Sequence, residues 1–413
     1  MRILQLCKKF PWPLKDGESI AVYHLASAYR RLGCQVDLLS MNTSKHWVNP
    51  DDLPADFDHY GAVRTVDIDN HIRPGDALRN LLFSKKSYHV SRFESAAFAE
   101  ALRQMLEAGH YDVVQLESVY MAPYLPVIRR CSNARIALRA HNVEHEIWFQ
   151  VARNSGQIKG AYLRLITPRL KDYELSRLND YDIVVAISPN DAARFVELGL
   201  RKPVIVAPVG IDLGRYQPKY ACFEAYPALS FIGSLDWIPN QEGLWWFIHK
   251  VWLPLLQPRF PRLQFHIAGR NAPERLQRLK APGVVFHGET ADAAAFLNTC
   301  PIMVVPLLSG SGIRIKIIEA MALGRVVVST TTGIEGIPAR HGQEAWIADA
   351  PEDFAEAIGR CIQDREGLKG MGEAARRLCE SHFDDLRIAD AVLNAYRALP
   401  APRDNAICPT TSG

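Results

Sequence analysis

Short runs of β-branched and apolar residues alternate with longer amphipathic stretches along almost the whole chain. That is the pattern of parallel strands joined by helices that cover both faces of a sheet. In the first half it predicts strands at residues 2–7, 35–40, 112–115, 135–139, 182–187 and 204–207, and helices at 19–31, 93–107 and 189–198. The second half begins the pattern again, with strands at 229–232, 264–268, 284–287, 302–306 and 326–329, and helices at 241–256, 291–298, 313–323 and 351–363. Between the halves, residues 212–227 hold prolines and tyrosines without a strong period, as a hinge linker would. The organisation expected is an α/β chain of two domains, residues 1–212 and 228–382, joined by a linker at 213–227. The last amphipathic stretch, 383–398, has no place in the second sheet and is expected to pack back on the first domain, and the polar tail 400–413 is expected to be disordered.

Length agrees with two domains, because 413 residues exceed what one hydrophobic core usually serves. A composition of 48% hydrophobic and 23% charged residues is that of an ordinary globular protein, and a net charge of +3 is too small to argue for a nucleic-acid partner. Basic pairs occur at Lys8-Lys9, Arg30-Arg31, Lys85-Lys86 and Arg129-Arg130. They read as solvated helix ends and loops, the alternative being a basic rim that rests on anionic lipid. The eight cysteines are scattered, with no C-x-x-C pair and no zinc spacing, as thiols of a reducing compartment would be. The opening MRILQLCKKFPWP lacks the apolar core of a signal peptide, and no stretch approaches the apolar run of a membrane span. The expected location is the cytosol, at most touching the inner face of a membrane.

The chemistry concentrates in PIMVVPLLSGSGIRIKIIEAMALGRVVVSTT, residues 301–331, which reads strand, glycine-rich loop, helix, glycine, strand. Ser309-Gly310-Ser311-Gly312 offers backbone N–H groups without bulky side chains where a helix is predicted to start at Ile313. Such a turn, with the positive end of a helix dipole, is an anion site, and phosphate is its natural guest. Arg314 and Lys316 stand at the wrong end of that helix for cations unless an anion is near; solvated side chains are the bland alternative. Glu319, inside the apolar IIEAMA run, needs hydrogen-bond donors, which ribose hydroxyls could supply.

GSGIRIKIIEAMALG resembles the signature of family 4 of the glycosyltransferases, the group 1 glycosyl transferases. The resemblance implies the GT-B fold, two Rossmann-like parallel-sheet domains facing across a cleft, with a nucleotide-sugar donor on the C-terminal domain and the acceptor on the N-terminal one. It implies that Glu319 binds the ribose and that Arg314 and Lys316 face the pyrophosphate. Where the family has a further glutamate, contacting the donor sugar, this chain has Ser311. FIGSLDWIPNQEG, residues 231–243, resembles the first strand and glycine turn of the family's donor domain, which places Gly233 and Ser234 with Gly310, Ser311, Gly312 and Ile313 in the donor site. The family's arginine and lysine after that turn are replaced here by Ser234 and Asp236, which puts more weight on Arg314 and Lys316.

In the first domain, KKFPWPLKDGESIAVYHLASAYRRLG resembles the family's opening unit, whose loop approaches phosphates and acceptor; Gly17 marks that loop and Glu18 follows it. RAHNVEHEIW crowds His141, Asn142, Glu144 and His145 after a strand, where an α/β sheet faces its ligand. It is not the H-E-x-x-H zinc motif. The family's cleft histidine falls near here and His141 is the choice for it, with Asn142 on the acceptor side. The resemblance implies retaining transfer of a sugar to a glycan or lipid-linked acceptor, as in polysaccharide assembly. No Asp-x-Asp metal motif stands in a suitable loop, so no metal or other cofactor is expected. The rival readings are a GT-B-type nucleotide-sugar epimerase and a non-catalytic nucleotide-sugar-binding protein. A glycoside hydrolase would leave the phosphate loop without purpose, and a dinucleotide oxidoreductase would need a G-x-G-x-x-G turn that the opening lacks.

Overall fold

The fold is that of a computed structural model, which describes residues 1–400 apart from Lys15, Asp56, Ile72, Lys85 and Ser311. The expected disordered tail lies, from residue 401 on, outside the described residues. The chain forms two compact units, Met1–Gly210 together with the segment from Asp385, and Ile211–Asp384.

The first unit holds β1 (Arg2–Cys7), β2 (Gln35–Thr43), β3 (Val63–Ile68), β4 (Val113–Leu116), β5 (Arg135–Ala140), β6 (Ile183–Ala186) and β7 (Val204–Val206). All pair in parallel, in the order β3-β2-β1-β4-β5-β6-β7. Strand β3 escapes the sequence reading because VRTVDI lies at the sheet edge, half-exposed, and so lacks the apolar run of a doubly covered strand. Side chains alternate between two cores. Leu4, Leu6, Val114, Leu116, Ile136 and Leu138 face one core, whereas Ile3, Cys7, Val113 and Ala137 face the other. Helices Gly17–Arg31 and Asp385–Ala398 close this second face with Val22, Ala26, Tyr29, Val392 and Tyr396. The Asp16 carboxylate caps the former by accepting from the Ser19 amide, and Arg31 pairs with buried Asp385 at 3.0 Å. The helices Pro74–Phe83, Tyr88–Ser91, Leu125–Cys131, Glu144–Asn154 and Gln157–Arg177 were not foreseen; the last carries Pro168 in its interior and has little amphipathic period.

The second unit holds β8 (Ala228–Ile232), β9 (Gln264–Ala268), β10 (Val284–Gly288), β11 (Ile302–Val305), β12 (Val326–Ser329) and β13 (Ala345–Ile347), in the order β10-β9-β8-β11-β12-β13. Residues 212–227, read from sequence as a linker, pack on this unit: Leu213 and Phe223 are buried in its cores. Buried Arg325 holds the segment by donating to the Leu323 and Lys219 carbonyls at 2.7 and 3.2 Å beneath the Phe223 ring. Among the described residues no helix is long and apolar enough to cross a membrane.

Candidate functional site

In each sheet the strand order reverses once, between β1 and β4 and between β8 and β11. At such a reversal the connections leave to opposite faces and open a crevice at the carboxyl ends of the strands. The residues singled out by sequence gather at these two places.

In the second unit, β11 runs into a loop whose Gly310 and Gly312 have φ of +112° and +88°, left-handed values that favour glycine. The helix begins at Ile315, later than expected: Arg314 is its extended N-cap, so Ile313 and Arg314 belong to the loop rather than to the first turn. Ser311 lies outside the described residues. The Arg314 guanidinium donates from Nη1 to the Gly312 carbonyl at 2.6 Å and lies 5.4 Å over the Trp237 ring. A Cβ at Gly310 would stand 2.8 Å from Arg314 Nη2, so the glycine leaves room for the cation.

Lys316, in the first turn, donates from Nζ to Asn240 Oδ1 at 3.1 Å and rests 4.8 Å from the centre of the Phe231 ring. Burial, reinforced by nearby Arg314 and opposed by Glu319, pushes its pKa down to about 7. Gly233, at the end of β8, is the floor of this amine: a Cβ there would lie 2.7 Å from Lys316 Nζ. Gly269 after β9 is as tightly placed, against the Gly233 carbonyl. One turn beyond Lys316 on the same helix, Glu319 Oε1 accepts from the Tyr216 hydroxyl at 2.7 Å. Burial raises the Glu319 pKa, against the opposing pull of Tyr216 and Lys316. Ser234 is engaged sideways, donating to Asp236 at 2.6 Å and accepting from Arg270 at 3.1 Å. The structure thus gathers two cations, two glycine turns and a carboxylate around one helix start, an arrangement suited to a phosphate group with hydroxyls beside it.

In the first unit Gly17 is the first residue of helix Gly17–Arg31, a correction to its expected place in the preceding loop; Asp16, which caps the helix, is the last loop residue. Glu18 lies in the first turn, 3.2 Å from Lys8 Nζ and 3.6 Å from Lys9 Nζ. Burial alone would raise its pKa, but Lys8, His141 and Lys9 together hold it below the usual carboxylate value. His141 follows β5 and is 8% exposed, with Nε2 3.1 Å from Oε2 of fully buried Glu117. Asn142 is exposed to solvent. Glu144 accepts from the Tyr120 hydroxyl at 3.0 Å and donates its amide to Glu174 Oε1 at 3.0 Å, and His145 Nδ1 sits 2.6 Å from Glu174 Oε2, so Glu144 and His145 share a partner that His141 does not.

Sequence reasoning missed Asn240, Trp237, Tyr216 and Glu117. Asn240 and Trp237 stand in the quoted 231–243 segment without any hydrophobic or motif signal to mark their role. Glu117 had one: it ends the apolar run VVQLE, a carboxylate at a position where a core residue is expected. Among the described residues no three His, Cys, Asp or Glu side chains form a group that could hold a metal ion.

Two family models match, glycosyltransferase family 4 over residues 16–215 and glycosyl transferases group 1 over residues 226–364. The phosphatidyl-myo-inositol mannosyltransferase of Mycobacterium tuberculosis is 24% identical over 52% of this chain and 60% of its own length. The chain spans about half the length of the curated relatives it matches, 47% and 60%. In fold it is similar to sucrose-phosphate synthase from Thermosynechococcus elongatus, with a TM-score of 0.66 at 17% identity over 96% of this chain and 98% of that one. It is likewise similar to the Anabaena protein HepE in complex with UDP, with a TM-score of 0.64 at 16% identity over 97% of this chain and 100% of that one. The two parallel-sheet units and these neighbours show the GT-B fold.

Proposed function

We propose that this chain is a glycosyltransferase of the family 4, GT-B type, a reading the two family matches and the fold support, and that it transfers a sugar from a nucleoside diphosphate sugar to a glycan or lipid-linked acceptor with retention of configuration. The observation that carries the reading is the helix start at Ile315, where Arg314 and Lys316 flank glycine turns. The donor diphosphate binds there, and its leaving charge is stabilised by the two cations and the helix end without a metal ion. Glu319 takes the ribose hydroxyls on its second oxygen, and its Tyr216 partner fixes the carboxylate. Gly233, Gly310 and Gly312 let the phosphates approach the backbone. In the first unit His141, Glu18 and Asn142 serve the acceptor side, with His141 at the reacting hydroxyl. The neighbour solved with UDP and the mannosyltransferase acting on a phosphatidylinositol support a nucleotide-sugar donor and a glycan or lipid acceptor. The place of work is the cytosol, at the inner face of a membrane when the acceptor is lipid-linked.

Calorimetric titration with UDP, GDP and ADP in parallel, with chelator present, tests the reading. Tight binding of one diphosphate is expected and names the base. Binding of none, or binding only when a divalent metal is restored, sinks the donor-site or the metal-free claim respectively.

A further inference from the structure

We infer that Glu117 is a positioning residue: it holds His141 in the tautomer with hydrogen on Nε2, and the chain's last helix completes the hydrogen-bonded frame around it. The inference rests on the reading of His141 as a group that serves transfer, and deepens it by naming which ring nitrogen faces the acceptor.

Glu117 is fully buried at the carboxyl end of β4. Its Oε1 accepts from Gln5 Nε2 at 3.1 Å and from Gln115 Nε2. Its Oε2 lies 3.1 Å from His141 Nε2 and 3.7 Å from Arg139 Nη1. Gln5 and Gln115 are register partners on β1 and β4, so their side chains point to the same face of the sheet. Arg139 is itself held, donating from Nη1 to the Ala21 carbonyl at 2.9 Å.

The outer ends of the two amides are occupied as well. Gln5 Oε1 accepts from the Tyr60 hydroxyl at 2.9 Å, and Gln115 Oε1 accepts from the Tyr29 and Tyr396 hydroxyls at 3.1 and 2.8 Å. Turning either amide round would set its oxygen against the Glu117 oxygen, so each amide has one orientation that satisfies all its partners. With two amide donors on Oε1 and a guanidinium beside Oε2, Glu117 is a carboxylate and can only accept. The hydrogen in the His141–Glu117 contact therefore belongs to the imidazole. A neutral ring then carries its lone pair on Nδ1, which has no hydrogen-bond partner among the described residues. That nitrogen is the acceptor for a substrate hydroxyl. The logic is that of a carboxylate fixing the tautomer of a functional histidine.

Core filling would be served by apolar side chains at these inward positions, as Ile3 and Val113 do on the same face. Buried polar groups are costly unless satisfied; both oxygens of Glu117 and both ends of the two amides have partners, although Arg139 Nε beside them has none among the described residues, and the frame is closed from outside by Tyr396 on helix Asp385–Ala398, which the chain adds after its second unit.

The test is long-range proton–nitrogen NMR of the full chain labelled with [15N]histidine, at about pH 8, above the ordinary imidazole pKa of about 6.5. The His141 signals are assigned by their absence in His141→Gln. A single Nε2–H pattern is expected in the parent protein. Glu117→Gln can both accept and donate at that contact, so loss of the single pattern and appearance of the Nδ1–H form are expected. An Nδ1–H ring in the parent, or an unchanged pattern in Glu117→Gln, overturns the inference. Should Glu117→Gln fail to fold, Tyr396→Phe removes one of the two hydroxyls on Gln115; a smaller displacement of the His141 signals supports the frame, and none overturns it. Turnover of His141→Ala is a separate readout. Normal turnover there would remove the catalytic reading and leave the tautomer result standing.

Discussion

The Tyr216 hydroxyl donates a 2.7 Å hydrogen bond to Glu319 Oε1, joining the segment that precedes the second sheet to the helix that follows the glycine loop. One carboxylate oxygen is thereby held in place and the other is left to a ligand. Glu319→Ala should weaken nucleoside diphosphate binding about 10- to 100-fold, the loss of hydrogen bonds to a charged group at about 1.5–3 kcal/mol. Tyr216→Phe should weaken it less. Calorimetry measures both, and unchanged affinity in Glu319→Ala removes the residue from the site.

The double change Arg314→Ala with Lys316→Ala should erase the difference in affinity between a nucleoside diphosphate and its nucleoside, because both charge-assisted contacts to the phosphates go. Titration with UDP and uridine is the comparison, and a preserved difference refutes the phosphate role.

Lys316 titrates at about 7, below the ordinary lysine value, because burial and Arg314 outweigh Glu319. Between about pH 7 and about 10.4 the unfolded chain therefore binds more protons than the folded one, and the unliganded protein should gain stability as pH rises through that window. A bound diphosphate favours the charged amine instead. Affinity should fall above about pH 7, by at most about tenfold per pH unit, with proton uptake on binding. Titrations in buffers of different ionisation enthalpy would show the uptake; a pH-independent affinity between 7 and 9, roughly the window of this lysine, contradicts it.

Gly233→Ala should bring a methyl group to 2.7 Å from Lys316 Nζ and 2.9 Å from Asn240 Nδ2. Both are ends of side chains that can move, so the melting temperature should change little while diphosphate affinity drops about tenfold, near 1.4 kcal/mol. An affinity equal to the parent's would mean that the amine's position is unimportant.

His141→Ala should lower turnover about 100-fold or more, the usual contribution of a positioned acid or base, while donor affinity is kept. Equal turnover in the variant and the parent rejects the assignment.

The alternation of apolar runs and amphipathic stretches made the two doubly wound sheets legible, because strands covered on both faces must be apolar whatever surrounds them. Strands Arg2–Cys7, Gln264–Ala268 and Val326–Ser329 and helix Pro351–Gln363 were readable to the residue. Edge strands β3 and β13, short or half-exposed, were not. The glycine loop with Arg314, Lys316 and Glu319 was visible because its anomalies are local: cations at a helix start and a carboxylate in an apolar run. Their partners were invisible for the opposite reason. Asn240 meets Lys316 across 76 residues, Tyr216 meets Glu319 across 103, and Tyr396 meets Gln115 across 281. A sequence states which side chains are costly to bury; only the packed strands and helices decide which distant donor or acceptor removes that cost.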